Sequence, residues 1–229
     1  MYKNNVEIVV ARYNENLEWL NEYPFNQFEY IVYNKGDNDK FVKKNVKQII
    51  QLSNVGMCDH TYLYHIIQNY ENLSNTIVFL PGSVNISYKK QKAINLLTRI
   101  IKSNYTCSFF IGNYHNSVKQ YYKNFYLDEH KCAYDKNHIK NNITKLQPCK
   151  IRPYENWYNY FFGDSPAHYA THCGIFSIDK RDIIQHPIYR YKLLIETVNK
   201  TSHHESAHYM ERSWGAIFYP MINTIKVIE

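Results

Sequence analysis

The chain has 229 residues, a formal charge of +7 and a pI near 9.0, and 45% of its residues are hydrophobic. This length accommodates one domain, or one domain with an insertion, and the hydrophobic content excludes a disordered chain. The positive charge suits an anionic partner such as nucleic acid, a nucleotide or a membrane surface, although a solvated lysine-rich surface has the same composition.

Cysteine content and hydropathy indicate the compartment. The five cysteines form no Cys-x-x-Cys pair, which is typical of reduced thiols in the cytosol. No run approaches the ~18 apolar residues of a membrane span, and residues 6–11 are too short for the apolar core of a signal peptide. We therefore expect a soluble cytoplasmic protein without a membrane partner. The 23 tyrosines and seven glycines indicate an AT-rich coding genome, such as that of a large DNA virus, whose protein would lie in the host cytoplasm.

The first 112 residues alternate strand patterns with helical patterns. Apolar, β-branched runs predict strands at residues 6–12, 28–36, 46–52, 75–80 and 107–112. Apolar residues at helical spacing predict helices at residues 13–23, 60–70 and 89–103. This alternation predicts an α/β fold with a mostly parallel sheet flanked by helices.

The second half of the chain begins after a break in this alternation. Residues 113–150 are polar, rich in Tyr and Lys and without a period, and we interpret them as an insertion or a long surface excursion. A strand at 172–178 and helices at 179–185, 187–200 and 201–218 follow. The last residues, 222–228, form a strand or a tail. We predict a single domain with a first half to residue 112 and a second half from residue 151.

A zinc-peptidase motif, His-Glu-x-x-His, occurs at His204, Glu205 and His208. On a helix its two histidines share one face and bind zinc, and the glutamate serves as general base. The usual third ligand is missing, because no histidine follows His208. An upstream ligand, His168 or His172, is left open. We interpret the motif as a chance occurrence and expect His204 and Glu205 to lie on the surface.

Polar turns follow four of the predicted strands. They comprise residues 11–15, 33–36, 53–65 and 81–83, and offer amides, a guanidinium and small residues. Ligands of open α/β sheets bind beyond the carboxyl ends of the strands, and this set suits a nucleotide diphosphate. Each turn by itself is also explained by the turn-forming tendency of Asn, Gly and Asp.

Several segments together resemble an uncharacterised domain family with suspected glycosyltransferase ancestry. They are "VVARYNENLEWL", "VYNKG", "NVGMCDHTYLYHII", "TIVFLPG", "ENWYNYFFG", "GIFSIDKRDI" and "HYMERSWGAIF". The resemblance runs from residue 6 to residue 218, except for the insertion, and its opening is similar to glycosyltransferases of the GT-A fold. It implies a GT-A-like, Rossmann-like sheet with a nucleotide-binding first half and an acceptor-side second half.

The resemblance also implies a site for a nucleotide sugar, with a UDP-sugar favoured, and an acceptor that is a glycan or a protein. The implied donor-binding residues are Ala11, Arg12, Asn14, Glu15, Asn34, Gly56, His60, Gly82 and Ser83. GT-A enzymes normally carry Asp-x-Asp after the fourth strand, where it holds Mn²⁺ or Mg²⁺ on the diphosphate. This chain has Pro81-Gly82-Ser83 there, so either another group supplies a ligand or the reaction runs without metal.

In the acceptor-side half, "MERSW" resembles the segment that supplies the catalytic base of inverting GT-A enzymes. Glu211 is the candidate base. Arg212 is expected to neutralise diphosphate charge, Trp214 to stack on a sugar, and His208 to assist on the same helix face. The alternatives are a non-catalytic sugar-nucleotide-binding or structural protein, a nucleic-acid-binding protein that uses the Tyr- and Lys-rich stretch 113–160, and a zinc hydrolase.

Overall fold

The computed structural model describes residues 5–127, 146–222 and 226–228. Its strands are β1 (Val6–Arg12), β2 (Tyr30–Asn34), β3 (Val46–Gln51), β4 (Thr76–Pro81), β5 (Phe109–Ile111), β6 (Asn113–Tyr114), β7 (Tyr169–Ala170), β8 (Phe176–Asp179) and β9 (Lys226–Ile228). The central sheet has the order β3-β2-β1-β4-β8. Its first four strands are parallel, and β8 runs antiparallel to β4. The predicted α/β fold with a mostly parallel sheet is confirmed.

Helices cover both faces of this sheet. The α-helices of the described residues are α1 (Met57–Gln68), α2 (Ser87–Lys102), α3 (Val118–Tyr121), α4 (Tyr154–Phe162), α5 (Lys180–Ile184), α6 (Ile188–Glu196) and α7 (Glu205–Ile217). Short 3-10 turns lie at Glu18–Asn21, Phe25–Gln27 and Gly82–Asn85. No helix of this part of the chain has the length and apolarity that a membrane span requires.

Alternate residues of the central strands enter two separate cores, because successive side chains of a strand point to opposite faces. Val9 and Phe79 face a first core that α1, α4, α6 and α7 complete. Val10 and Leu80 face a second core, which is completed by α2 and the buried ring of Trp19. Burial on both faces explains why β1 and β4 are continuous apolar runs in the sequence.

Two small sheets flank the main one, β5 paired with β9 and β6 paired with β7. Strand β7 lies against α7, and a Cβ at Gly215 would be only 2.1 Å from the carbonyl oxygen of Tyr169. Glycine is therefore needed at this position inside the helix. The contact fixes the segment that leads from β7 to β8 along α7.

Several predicted boundaries are wrong. Residues 13–23 do not form an α-helix; Leu17 has a left-handed φ of 55° and is followed by a 3-10 turn that buries Trp19 and Leu20. Helix α1 begins at Met57 rather than at residue 60. Within the predicted insertion, residues 113–121 contain β6 and α3, whereas residues 128–145 lie outside the described residues.

Candidate active site at the strand ends

The carboxyl ends of β1, β2 and β4 meet the first turn of α1, the turn after β4, the loop before β8 and one side of α7. We call this region the strand-end site. Its charged and polar side chains are Glu15, Lys35, Asp59, Ser83, Lys89 and Glu211. Their elements are separated in sequence and are brought together by the parallel order of β2, β1 and β4.

Arg12 and Asn34 form the floor of this region. The Arg12 guanidinium is fully buried and donates hydrogen bonds to Asn34 Oδ1 at 2.5 Å and to the Asn38 carbonyl at 2.7 Å. It also lies 4.4 Å from the ring centroid of Phe41. These contacts hold the turns after β1 and β2 in place, with the guanidinium directed at protein groups. Asn14, in contrast, is exposed and accepts a hydrogen bond from Asn38.

The first turn of α1 is built around Gly56 and Lys35. Gly56 has a left-handed φ of 57°, and a Cβ there would lie 2.2 Å from the carbonyl oxygen of Val198. The Lys35 ammonium donates to the carbonyls of Val55 and Met57, and burial lowers its pKa to about 8. These contacts fix the backbone at the start of α1, which borders the strand-end site.

His60 lies in the same turn, 8% exposed. Burial and the nearby Lys35 lower its pKa to about 4, so that the imidazole is neutral at physiological pH. Its Nδ1 atom is buried and has no hydrogen-bond partner among the residues that the structure describes. Predicted to bind the donor, His60 lies beside the site with its ring packed on that of Tyr64.

Asp-x-Asp is absent from the end of β4. Glu15 and Lys89 supply a carboxylate and an ammonium there instead. A Cβ at Gly82 would lie 2.7 Å from Glu15 Oε2 and 3.2 Å from the carbonyl oxygen of Ala11. Glu15 is itself oriented by the backbone N–H of Tyr13 at 2.7 Å. The Ser83 hydroxyl accepts a hydrogen bond of 2.8 Å from Lys89. No three His, Cys, Asp or Glu side chains gather as metal ligands among the described residues, and the turn after β4 offers a hydroxyl paired with an ammonium in place of two aspartates.

Asp59 and Glu211 form an unequal pair of carboxyl groups. Asp59 is 2% exposed and accepts a 2.8 Å hydrogen bond from the indole N–H of Trp214. Burial and the nearby Glu211 raise the pKa of Asp59 to about 8, so Asp59 is largely protonated at neutral pH. Glu211 has a side chain that is 24% exposed and accepts the backbone N–H of Cys173 at 2.6 Å.

Glu211 and Lys89 influence the pKa of the same two thiols, those of Cys58 and Cys173. Burial raises the pKa of the Cys58 thiol well above its ordinary value; Glu211 raises it further and Lys89 lowers it. Burial likewise raises the pKa of Cys173, and both Lys89 and Glu211 act on it with the same opposite signs. A carboxylate from α7 and an ammonium from α2 therefore both lie near these thiols, which stand at the start of α1 and in the loop before β8.

Trp214 and Arg212, both predicted to contact a substrate, are in contact with other protein groups instead. Trp214 is fully buried, with its ring packed between those of Phe79 and Phe218. This burial corrects the expectation that its ring stacks on a sugar; it holds Asp59 instead. Arg212 lies 4.0 Å from the ring centroid of Phe125 and donates to the carbonyl of His208 at 2.7 Å. His208 is half-buried on the same helix.

The His-Glu-x-x-His segment has a different function in the fold from a metal site. Glu205 is fully buried, which corrects its expected surface position. It accepts hydrogen bonds from the backbone N–H of Leu127 at 2.8 Å, the N–H of Cys149 at 2.7 Å and the hydroxyl of Tyr209 at 2.8 Å. Arg152 lies 3.0 Å from the same carboxylate. His204 is half-buried and caps α7, its Nδ1 accepting the N–H of Ser206 at 3.1 Å.

Comparison with known proteins places the chain in a family. A family profile described as "Protein of unknown function (DUF3431)" matches residues 8–225. The chain belongs to the DUF3431 family. No curated protein matches it.

In this DUF3431 domain, three charged residues of the strand-end site were not among the predicted ones: Lys35, Asp59 and Lys89. Asp59 stands in the segment "NVGMCDH", which was selected for its glycine and histidine. Lys89 opens a lysine-rich amphipathic helix, where a solvated lysine is the ordinary interpretation. Their position after a strand end was the available signal, but only the fold brings Asp59 near Glu211 and Lys89 into contact with Ser83.

Proposed function

We propose that this DUF3431 domain is a nucleotide-sugar-dependent glycosyltransferase with a GT-A-like arrangement of its sheet. The observation that carries the proposal is the set of oriented polar groups at the strand ends: Glu211 accepts the N–H of Cys173, and Lys89 donates to Ser83 in the turn after β4. The order β3-β2-β1-β4 supports it, because doubly wound nucleotide-binding sheets use the same order and bind ligands at this edge.

The proposed reaction is a single displacement at the anomeric carbon of the donor. Glu211 accepts the proton of an acceptor hydroxyl while the hydroxyl oxygen forms its bond to the anomeric carbon. The bond from that carbon to the diphosphate breaks, and the leaving nucleoside diphosphate gains negative charge. This displacement inverts the configuration of the sugar.

Lys89 is proposed to neutralise the leaving group. Its ammonium is oriented by Ser83 at 2.8 Å, and the N-terminus of α2 begins at Ser87, directly after the turn that follows β4. Helix N-termini favour anions. Since the turn after β4 has Pro81-Gly82-Ser83 and no Asp-x-Asp, the ammonium of Lys89 takes the part of the Mn²⁺ or Mg²⁺ of GT-A enzymes in this proposal.

Glu15 and Asn14 are proposed to contact the donor, since Asn14 is exposed and Glu15 is half-buried beside Gly82. Arg12, Asn34 and Gly56 act by fixing the turns on which those side chains stand. The donor is proposed to be a nucleoside-diphosphate sugar, with UDP favoured, and the acceptor a glycan or a protein.

The first test is nucleotide binding by thermal shift with UDP, GDP, CMP and their sugars, with and without EDTA. A ligand at a hundred times its Kd adds about 2.7 kcal/mol to the free energy of unfolding, which corresponds to roughly 5–10 °C in a chain of this size. We expect one nucleotide family to produce this shift with EDTA present, and Lys89→Met to reduce it. The absence of a shift with every nucleotide would overturn the proposal.

The second test is turnover of the Glu211→Gln variant. The amide retains an oxygen for the N–H of Cys173 but cannot accept the acceptor proton, so we expect release of nucleoside diphosphate to fall about 10²–10⁴-fold with unchanged nucleotide affinity. Glu196→Gln, on the exposed end of α6, is the matched control. Binding without turnover in the wild type would indicate a non-catalytic sugar-nucleotide-binding protein.

A further inference from the structure

Two pairs of aromatic and imidazole rings lie on β6, α3 and the residues around β7, the strand that packs against α7. Tyr114 is 50% exposed, and its ring is stacked with that of His168 at 5.8 Å and an interplanar angle of 20°. Tyr121 is 67% exposed, and its ring centroid lies 4.0 Å from that of His115. We call these four residues the ring platform.

Backbone hydrogen bonds make the ring platform a fixed surface. The N–H of His115 donates to the carbonyl of His168 at 2.7 Å, and Nδ1 of His168 donates to the carbonyl of Asn116 at 3.0 Å. The N–H of Val118 donates to Ala167 at 3.0 Å. The two halves of the platform, from β6–α3 and from β7, are thus held together across more than 40 residues of sequence.

The segment after β7 connects the ring platform to Glu211. The hydroxyl of Thr171 donates to the backbone carbonyl of Glu211 at 2.7 Å, and Cys173 donates to its carboxylate. His172 lies between them and is bonded to the hydroxyl of Tyr122 at 3.1 Å. Burial lowers the pKa of His172; the nearby Glu211 raises this pKa, and His115 lowers it. The ring of Tyr122 lies 5.5 Å from that of His115, so His172 is connected to the platform through Tyr122.

The chemistry of the platform matches a neutral sugar chain. Exposed ring faces offer the flat apolar surface that a pyranose covers, and the exposed amides of Asn113 and Asn116 offer hydrogen bonds to its hydroxyls. Lys119, within the same segment, is paired with Asp164 at 2.8 Å. An oligonucleotide would need unpaired cations along its phosphates, so a neutral ligand is favoured.

We propose that Tyr114, His115, Tyr121 and His168 bind a neutral oligosaccharide and form the acceptor subsite of this protein. The acceptor assignment rests on the proposed transferase function. The bound chain lies across the rings and directs its terminal hydroxyl past His172 to Glu211. The class of acceptor is thereby a neutral glycan rather than a protein or a nucleic acid.

The experiment is isothermal titration of the full chain with neutral hexasaccharides of glucose, N-acetylglucosamine, mannose and xylose, and with a ten-residue oligothymidylate. We expect at least one hexasaccharide to bind, and its Kd to rise at least tenfold in Tyr114→Ala and in Tyr121→Ala. Tyr121→Phe retains the ring and should retain the affinity. Tyr160→Ala is the matched control, because Tyr160 is 71% exposed on α4 and outside the platform.

Three results would overturn the ring platform as a glycan site: no hexasaccharide binds, binding survives both alanine substitutions, or only the oligothymidylate binds. Nucleotide binding in the thermal-shift panel separates this failure from failure of the transferase proposal. Nucleotide binding without hexasaccharide binding rejects the platform alone. Hexasaccharide binding that needs Tyr114 and Tyr121, without any nucleotide effect, rejects the transferase and leaves a glycan-binding site.

Discussion

Asp59 and Glu211 illustrate how two carboxyl groups in one site acquire different surroundings. Asp59 accepts a hydrogen bond from the indole of Trp214 and has a raised pKa, whereas Glu211 is partly exposed and accepts a backbone N–H. Burial and the neighbouring Glu211 keep the Asp59 carboxyl group largely protonated at neutral pH, because both penalise its charged form. The proposed base is therefore the more accessible of the two groups.

The raised pKa of Asp59 predicts a dependence of stability on pH. Between about pH 4, the unfolded value, and pH 8, the folded value, the folded chain keeps a proton that the unfolded chain releases. Stability therefore falls as pH rises through this interval, by at most about 1.4 kcal/mol per pH unit, and levels off above it. Asp59→Asn does not titrate, so we expect its Tm, relative to wild type, to increase from pH 5 to pH 8. A constant difference would contradict the assignment.

At the scale of elements, the sequence predicted what depends on local pattern. Strands β1 and β4 are recognisable because burial on both faces requires continuous apolar runs, and α2 because its apolar residues recur with helical spacing. The segment after β1 has similar spacing at Leu17 and Leu20 but forms a 3-10 turn, since Leu17 adopts a left-handed backbone. The antiparallel direction of β8 is set by its pairing with β4 and has no local signal.

The candidate site likewise combines features that the sequence predicts with features that depend on the fold. The turns after β1, β2 and β4 were predicted to meet because parallel strands end at one edge. Which side chains are available to a ligand was not predictable. Arg12 donates its hydrogen bond to Asn34 and Trp214 donates its own to Asp59, and only the fold brings these partners together. Lys89 and Glu211 both come near Cys58 and Cys173 only when α2 and α7 have packed on the sheet.

The contact between β7 and α7 predicts the effect of Gly215→Ala. Replacing glycine by alanine inside a helix normally stabilises by about 1 kcal/mol. Here the new Cβ would meet the Tyr169 carbonyl at 2.1 Å, and we expect a net loss of about 1–3 kcal/mol in chemical denaturation. The displaced segment should also weaken hexasaccharide binding. A gain in stability, the ordinary result of replacing glycine by alanine inside a helix, would contradict the packing argument.

At the scale of the molecule, one sheet separates two cores but belongs to both. Val9 and Val10 are adjacent in β1 and enter different cores, so neither core can lose its packing without exposing the strand that supports the other. The net charge of +7 adds repulsion over the whole surface, and it also favours approach of an anionic nucleotide. The site at the strand ends thus lies where both cores meet.

This arrangement predicts that the two cores unfold together. Trp19 reports the second core, and Trp157 and Trp214 report the first. In urea denaturation we expect the fluorescence of Trp19→Phe, and separately that of the double variant Trp157→Phe/Trp214→Phe, to follow the far-UV circular dichroism of the same protein. Fluorescence midpoints displaced from the circular dichroism midpoint in either protein would show that the cores unfold separately.

The carboxylate of Glu205 has a consequence for the start of α7. It binds the backbone at Leu127 and at Cys149 simultaneously, so one side chain connects the first turn of this helix to two other parts of the chain. A buried carboxylate is costly to leave without its hydrogen-bond donors. The start of α7 therefore cannot shift relative to either backbone position without a cost at this one group.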